Sequence, residues 1–354
     1  MTSGILAAAY QRLHHAGPEW DDNSLTNHGP MTVEVMVRRG HEADVHPWVD
    51  AYVKRLDDLP GASDRITEDT WREALGDGDR IADWTAYLTD QTRDAHWRDL
   101  LATWWPRLLP AIAAGTTHGV IRVSHAVRAL MAGGAEHSDE NAETVTELAH
   151  GLAFWAARAR YVPGVVPPRG RLDARAALHA LPRVAEQQGN VANRFRQLAE
   201  MATWPESLTA LRAPADPDDA RAVLTDLVDA AAVHYLGHGH TSPVLLVHTA
   251  TAPNAVLHCL PALPRELWSE SLTAAWAACA AITVGWAPGE PAPLGDLPAP
   301  PSGQDAAAEL VDLAVASGDE HVIKFTDTAT EVYGRTGEQE ALTACLRVAA
   351  LIGG

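Results

Sequence analysis

Histidine is the residue type that first points to chemistry in this chain. The sequence has 17 histidines among 354 residues, and several of them stand within apolar segments. Imidazole is the commonest metal ligand in proteins, and it titrates near neutral pH. Metal binding and acid–base catalysis are therefore the first functions to consider.

Two segments that contain histidine have patterns typical of helices, one of a helix start and the other of a shared helix face. His28 is followed by a Gly-Pro pair, which places it at the mouth of a predicted helix. Further along, His125 comes seven positions after His118, so both share one helix face with Arg122 between them. A capping or half-buried histidine is the alternative for His28, and a solvent-facing polar stripe is the alternative for the second segment.

A third histidine is predicted to be buried, and a lysine stands in an apolar segment. His248 follows the apolar run 244–247, and a buried imidazole must find a partner. Lys324 comes one helical turn after His321 among Val, Ile and Phe residues. Burial disfavours the ammonium form, and the neutral amine is a nucleophile. Extension of the lysine to solvent is the alternative.

Residues 234–240 contain His234, His238 and His240, whose spacing could hold a divalent metal. We interpret this segment as an exposed glycine-rich loop that binds metals only adventitiously. Glu147 and His150 form a single ExxH pattern, whereas a di-iron bundle needs two. The sequence has no nucleotide-binding loop and no HExxH or GxSxG motif.

The elements that position these residues are predicted to be helices. Alanine-rich segments have helical spacing, and alternating runs of β-branched residues are almost missing. We predict an all-α fold, a single-domain multi-helix bundle over residues 1–354. Proline-rich residues 287–304 and 162–168 are predicted to be surface loops. Helices, or in places helix pairs, are predicted over residues 104–132, 141–161, 218–234, 271–284, 305–317 and 337–352, with Asp139 opening one helix and Gly318 closing another.

Charge and composition exclude several classes of function. Lys and Arg number 27 against 46 Asp and Glu, which gives a formal charge of −19 and no basic surface for nucleic acid. The three cysteines are widely spaced, and we expect reduced thiols. No stretch resembles a signal peptide or a membrane span. We therefore expect a cytoplasmic protein without nucleic-acid or membrane partners; the oligomeric state is left open.

Five segments, taken in order, resemble the questin oxidase-like family. They are NHGPM at 27–31, THGVIRVSHAVRAL at 117–130, ELAHGLAFWAARARYVP at 147–163, LLVHTATAPNAV at 245–256 and DEHVIKF at 319–325. The resemblance implies an all-helical oxidoreductase of secondary metabolism that oxidatively opens a ring of an anthraquinone or related aromatic polyketide. Some members are described as NADPH-dependent, Baeyer–Villiger-like monooxygenases, and others as non-haem iron dioxygenases. The lack of a flavin or nicotinamide fingerprint favours iron here.

The resemblance also implies roles for individual residues. His28, His118, His248 and His321 fall on the family's histidine motifs and Lys324 on its lysine, which implies an Fe(II) site with a CO2-derived carbamate on the lysine, and O2 as co-substrate. Thr249 is the expected donor to the carbamate. Arg122 is expected to hold an ionised hydroxyl of the substrate, and Phe154 and Trp155 to form an aromatic wall or simply core. A non-catalytic polyketide-binding protein is the rival interpretation, and it would not require His321 with Lys324.

Overall fold

The computed structural model of the protein describes residues 2–20, 25–133 and 142–353, and it confirms the all-α class. The α-helices are α1 (Thr2–His14), α2 (Gly29–Arg38), α3 (Glu42–Tyr52), α4 (Trp71–Ala74), α5 (Ile81–Asp94), α6 (Trp97–Leu108), α7 (His118–Ala132), α8 (Ala142–Ala157), α9 (Ala174–Ala180), α10 (Val191–Glu200), α11 (Trp204–Thr209), α12 (Pro217–His238), α13 (Pro243–Leu246), α14 (His248–Cys259), α15 (Trp268–Trp286), α16 (Ala306–Ser317), α17 (Glu320–Thr336) and α18 (Gln339–Ile352). None of these helices is both long enough and apolar enough to cross a membrane.

The strands form one small antiparallel sheet. They are β1 (Ala16–Trp20), β2 (Leu25–Thr26) and β3 (Leu56–Asp58), in the order β2-β1-β3. Gly17 permits the contact of β1 with β3, because a Cβ there would lie 2.6 Å from the Asp57 carbonyl oxygen. Short 3₁₀ turns occur at Val53–Arg55, Gly78–Arg80, Leu109–Ala111, Gly239–Thr241, Leu260–Ala262, Arg265–Leu267 and Leu294–Asp296.

The chain divides into two compact units. The first contains Met1–Tyr161 and Pro261–Pro264, and the second contains Val162–Leu260 and Arg265–Gly354. The single-domain organisation expected for residues 1–354 stays a prediction.

The core of the first unit is built where small residues let α7 and α8 approach closely. A Cβ at Gly119 would lie 2.7 Å from Cγ of Trp155, and a Cβ at Gly151 would lie 3.2 Å from a methyl of Val123. Trp155 is fully buried, and its indole donates to the carbonyl of Ala111. The interlocked glycines and tryptophan therefore fix the position of α7 on α8.

The second unit is organised around α12 and α15. Helix α15 is apolar on nearly every side and almost entirely buried. Helix α12 continues to His238, so the prediction of an exposed loop at residues 234–240 is wrong for His234 and His238; both are helical and buried. The glycine at 237 lies close to the proline-rich segment, since a Cβ there would be 3.2 Å from Pro291.

The proline-rich residues 287–304 contain only a short 3₁₀ turn, and Leu294 at its start is 88% exposed. The backbone of Ala292 donates to the carbonyl of Gly237, which fastens this segment to the end of α12. It is the loop that the proline content predicts.

Most helix predictions hold to within a few residues. The segment 104–132 is a helix pair, since α6 ends at Leu108 and α7 begins at His118. Gly318 ends α16 in the left-handed conformation with φ of 71°. Asp139 and Asn141, predicted near the start of α8, lie outside the described residues.

Candidate metal-binding histidines

The four histidines predicted as ligands all lie at the start of a helix, and all are buried. His28 is the N-cap of α2, His118 and His248 are the first residues of α7 and α14, and His321 is the second residue of α17. Neutral imidazole is the form of histidine that binds a metal.

His28 is held by a network at the entry to α2. Its backbone N–H donates to the hydroxyl of Tyr52 at 2.6 Å, and its Nδ1 lies 2.5 Å from the carbonyl oxygen of Thr26. Asn27 accepts from the N–H of Gly29 and donates to the carbonyl of Gly17. The helix start predicted from the Gly-Pro pair is thus confirmed.

His118 follows a strained backbone segment. Gly115, Thr116 and Thr117 have φ of 51°, 56° and 72°, a left-handed conformation that costs energy for threonine. The turn brings the carbonyl oxygen of Gly115 to 2.5 Å from Nδ1 of His118. Strain of this kind concentrates where function requires a particular side-chain direction.

His28 and His118 lie against one another in the first unit. Their ring centroids are 4.5 Å apart and the rings are nearly perpendicular, at 82°. A carbonyl oxygen only accepts hydrogen bonds, so Nδ1 carries the proton in each ring. Each Nε2 therefore keeps its lone pair, which is the arrangement in which backbone carbonyls orient metal-binding histidines.

His248 and His321 form a second pair, in the second unit. Their ring centroids are 6.0 Å apart at 80°. Nδ1 of His248 donates to the carbonyl of Leu245 at 3.2 Å, and Nδ1 of His321 lies 3.7 Å from the carboxylate of Asp319. Asp319 is also the N-cap of α17 and accepts from two backbone N–H groups of its first turn. This carboxylate, which the sequence analysis did not single out, caps the helix and lies beside its histidine.

Lys324 is buried one turn into α17, with 3% of its surface exposed, and the alternative of extension to solvent is wrong. Its Nζ has no hydrogen-bond partner among the residues that the structure describes. Burial lowers the pKa of Lys324 to about 7, although the nearby Glu320 and Asp319 act in the opposite direction. A substantial fraction of this amine is neutral at physiological pH, as the reaction with CO2 requires.

Thr249 and Arg122, to which the sequence assigns supporting roles, have protein partners already. The Thr249 hydroxyl donates to the carbonyl of Leu246 at 2.7 Å, so donation to a carbamate requires that bond to break. Arg122 makes a bidentate ion pair with Glu147, in which two guanidinium nitrogens donate to the two carboxylate oxygens at 2.6 and 2.9 Å. Its expected contact with a substrate hydroxyl stays a prediction.

Glu147 is a site residue that sequence reasoning undervalued. It is buried on α8, and its carboxylate also meets Nε2 of His14 at 3.0 Å. The Arg122 guanidinium and the His14 contact lower the pKa of Glu147 to about 2, against the opposing effect of burial. The available signal was a carboxylate within an apolar helix, but its partner on α7 is visible only once the helices pack.

His125 shares α7 with His118 but lies in a different environment. Its Nδ1 is 2.7 Å from the carboxylate of Glu34, which also pairs with Arg128. These partners lower the pKa of Glu34 to about 2, although burial opposes the change. Both histidines are buried, which excludes the solvent-facing stripe, and the structure pairs His118, not His125, with His28.

Comparison with models of known protein families finds no match, and no curated protein matches the sequence. The resemblance to the questin oxidase-like family therefore rests on the five motifs.

Phe154 and Trp155 on α8 are buried, and Phe154 packs beneath Gly115, where a Cβ would lie 2.8 Å from its ring. Both aromatic side chains have the core role that the sequence offered as the alternative to a substrate wall.

Proposed function

We propose that the chain is a non-haem iron-dependent oxygenase that cleaves a ring C–C bond of an anthraquinone or related aromatic polyketide. The observation that carries the metal part is the shared orientation of the four histidines, whose Nδ1 atoms face oxygen acceptors. The substrate class rests on the family resemblance and is an inference by analogy.

The ligands in this proposal are His28, His118, His248, His321 and a carboxylated Lys324. Four neutral imidazoles would leave the double charge of Fe(II) uncompensated at buried residues, and an anionic oxygen ligand offsets it. The neutral Lys324 amine bonds to the carbon of CO2 and loses one proton, which yields the anionic carbamate. When bound, iron supplies the O2 chemistry of the reaction.

The roles of the surrounding residues follow from their contacts. Backbone carbonyls hold the Nδ1 protons of His28, His118 and His248, and the Asp319 carboxylate lies on the Nδ1 side of His321, so that Nε2 is the proposed donor atom to the metal. Arg122 and Glu147 are positioning residues, because their ion pair ties α7, which begins at His118, to α8. Arg122 can also meet an ionised substrate hydroxyl with the part of its guanidinium that does not face Glu147.

Metal analysis of protein purified without a histidine tag tests the proposal first. About one iron per chain is expected after anaerobic loading with Fe(II). A protein that binds an anthraquinone tightly but takes up no iron would instead be the polyketide-binding protein that the sequence also allows.

The reaction is tested with iron-loaded protein, ¹⁸O2 and a panel of hydroxyanthraquinones and their hydroquinones, followed by mass spectrometry. Incorporation of both labelled atoms is expected for a dioxygenase. One labelled atom with stoichiometric NADPH consumption would assign the monooxygenase alternative. No turnover of any aromatic substrate by iron-loaded protein would refute the proposed reaction.

A further inference from the structure

A second group of histidines lies in the second unit, and the proposed function does not use it. His234 and His238 occupy successive turns of α12, and their rings are stacked, with centroids 3.8 Å apart and planes 4° apart. His179 on α9 faces both, at centroid distances of 5.8 and 6.1 Å. We propose that His179, His234 and His238 bind a divalent transition-metal ion of the Zn²⁺ class, independently of the proposed iron.

The lone pairs of the α12 histidines are the first argument. Nδ1 of His238 donates to the carbonyl of His234 at 3.1 Å, so the lone pair of His238 is on Nε2. Nε2 of His234 is buried and has no hydrogen-bond partner within the described part of the chain. His234 is only 9% exposed, and a polar atom left in this state at such burial is costly unless a ligand meets it.

A cavity lies where these side chains meet. Its volume is about 140 Å³, and its lining includes the three histidines together with Arg175, Leu178 and Gly237. A water molecule occupies roughly 30 Å³ in the liquid, so the cavity holds an ion and the few waters that complete its coordination. Zn²⁺ binds imidazole nitrogen at about 2.0–2.1 Å, so the stacked rings and the ring of His179 must reorient for their nitrogens to converge on one ion. His179 is exposed.

The chemistry of the lining selects the class of ion. Its described residues include no carboxylate, and hard cations such as Mg²⁺ and Ca²⁺ need oxygen ligands. Neutral imidazole suits zinc, copper and nickel. Of the nearby cations, Arg175 pairs with Glu338 at 2.9 Å, and Arg183 donates to the carbonyls of Leu181, Pro182 and Pro288. Both guanidinium groups thus have oxygen acceptors of their own.

The metal would join α9, a helix of seven residues, to the last turns of α12. Helix α9 is too short to be stable by itself. A bridging ion at this place stabilises the folded protein by a free energy that grows with the logarithm of its affinity. The proposed role of this metal is therefore structural. The sequence had instead predicted an exposed loop that binds metals adventitiously.

The test is a Zn²⁺ titration of metal-free, full-length protein against a competing chromophoric chelator, with the bound zinc counted by metal analysis. His179→Ala changes an exposed side chain and should fold normally. We expect it to weaken zinc binding at one site at least tenfold, and His179→Asp to restore part of the affinity. His240→Ala is the matched control, because His240 is exposed in the turn directly after α12.

His118→Ala separates this site from the proposed iron site. The proposal expects the His179-dependent zinc to remain in this variant, and imidazole ¹⁵N shifts of His234 and His238 to change upon zinc addition. Equal zinc affinity of wild-type and His179→Ala protein would overturn the proposal. So would loss of the site in His240→Ala to the same degree as in His179→Ala, since the binding would then be that of exposed surface histidines.

Discussion

Replacing Glu147 by glutamine should destabilise the first unit strongly, because it leaves Arg122 buried without a counter-ion. Removal of one partner of a buried ion pair costs about 3–5 kcal/mol. The pKa offers a second route to the magnitude: its fall from 4.5 to about 2 corresponds to about 3 kcal/mol, since each pKa unit is worth about 1.4 kcal/mol. The two routes agree on an effect of about 3 kcal/mol at neutral pH.

The sign of the pH dependence follows from the same values. The folded-state pKa of Glu147 is below its ordinary value, so its contribution to stability is fully present above about pH 4.5 and is lost as the pH falls towards 2. The stability difference between wild type and Glu147→Gln should therefore be constant from pH 7 to pH 5 and shrink below pH 4.5.

Urea unfolding monitored by hydrogen exchange and mass spectrometry measures this effect locally. Peptides from α7 and α8 should lose protection in Glu147→Gln, while peptides from α15 in the second unit serve as an internal reference. Glu143→Gln is the matched control, because Glu143 lies on the same helix with 36% of its side chain exposed and should cost less than about 1 kcal/mol.

The double variant Arg122→Met, Glu147→Leu removes both charges and should recover most of the lost stability, because apolar replacement of a buried pair is often neutral. A loss below about 1 kcal/mol in Glu147→Gln, or a double variant no more stable than the single one, would refute the reasoning. Recovered stability and iron content with a raised KM would confirm that Arg122 also binds substrate.

Three further predictions concern the candidate ligands and their support. His118→Ala should lower bound iron to a small fraction of the wild-type value, whereas His125→Ala should retain most of it in metal analysis; the reverse result would show that the assignment on α7 is wrong. Lys324→Met should stabilise the metal-free protein by several kcal/mol below pH 7, because the buried amine of the wild type must be charged there. In thermal unfolding, this gain in stability should vanish as the pH approaches 10.5. A gain that does not depend on pH would contradict the burial argument. Gly119→Ala should lower the free energy of unfolding in urea by about 1–3 kcal/mol and should lower the iron content, because the added methyl collides with Trp155 beside His118. Wild-type stability of this variant would show that α7 can shift freely.

The fold class and several site features were predictable from local sequence. Alanine-rich helical spacing indicated the all-α class, and the apolar neighbours of His248 correctly predicted its burial, while those of Lys324 left burial and extension to solvent both open. The Gly-Pro pair after His28 correctly marked a helix start. These features depend on residues close together in the chain, which is why sequence patterns report them.

Contacts between distant segments were not predictable. The glycine at 237 suggested a loop, whereas it lies within α12, and its close neighbour Pro291 comes from a distant segment. The partners Glu147 for Arg122 and Glu34 for His125 lie on other helices, and no local pattern identifies them. The pairing of His28 with His118 likewise depends on how α2 and α7 pack. The sequence alone does not give this packing, so it could suggest the pairing but not establish it.

X-ray absorption at the iron edge, combined with iron counting on tag-free protein loaded anaerobically with Fe(II), tests the central proposal most directly. The account predicts about one iron per chain, with the outer-shell scattering of several imidazoles, an added oxygen donor that is lost in Lys324→Ala, and fewer imidazoles in His28→Ala. Iron that does not bind in stoichiometric amount, or that binds with a spectrum unchanged in both variants, would contradict it.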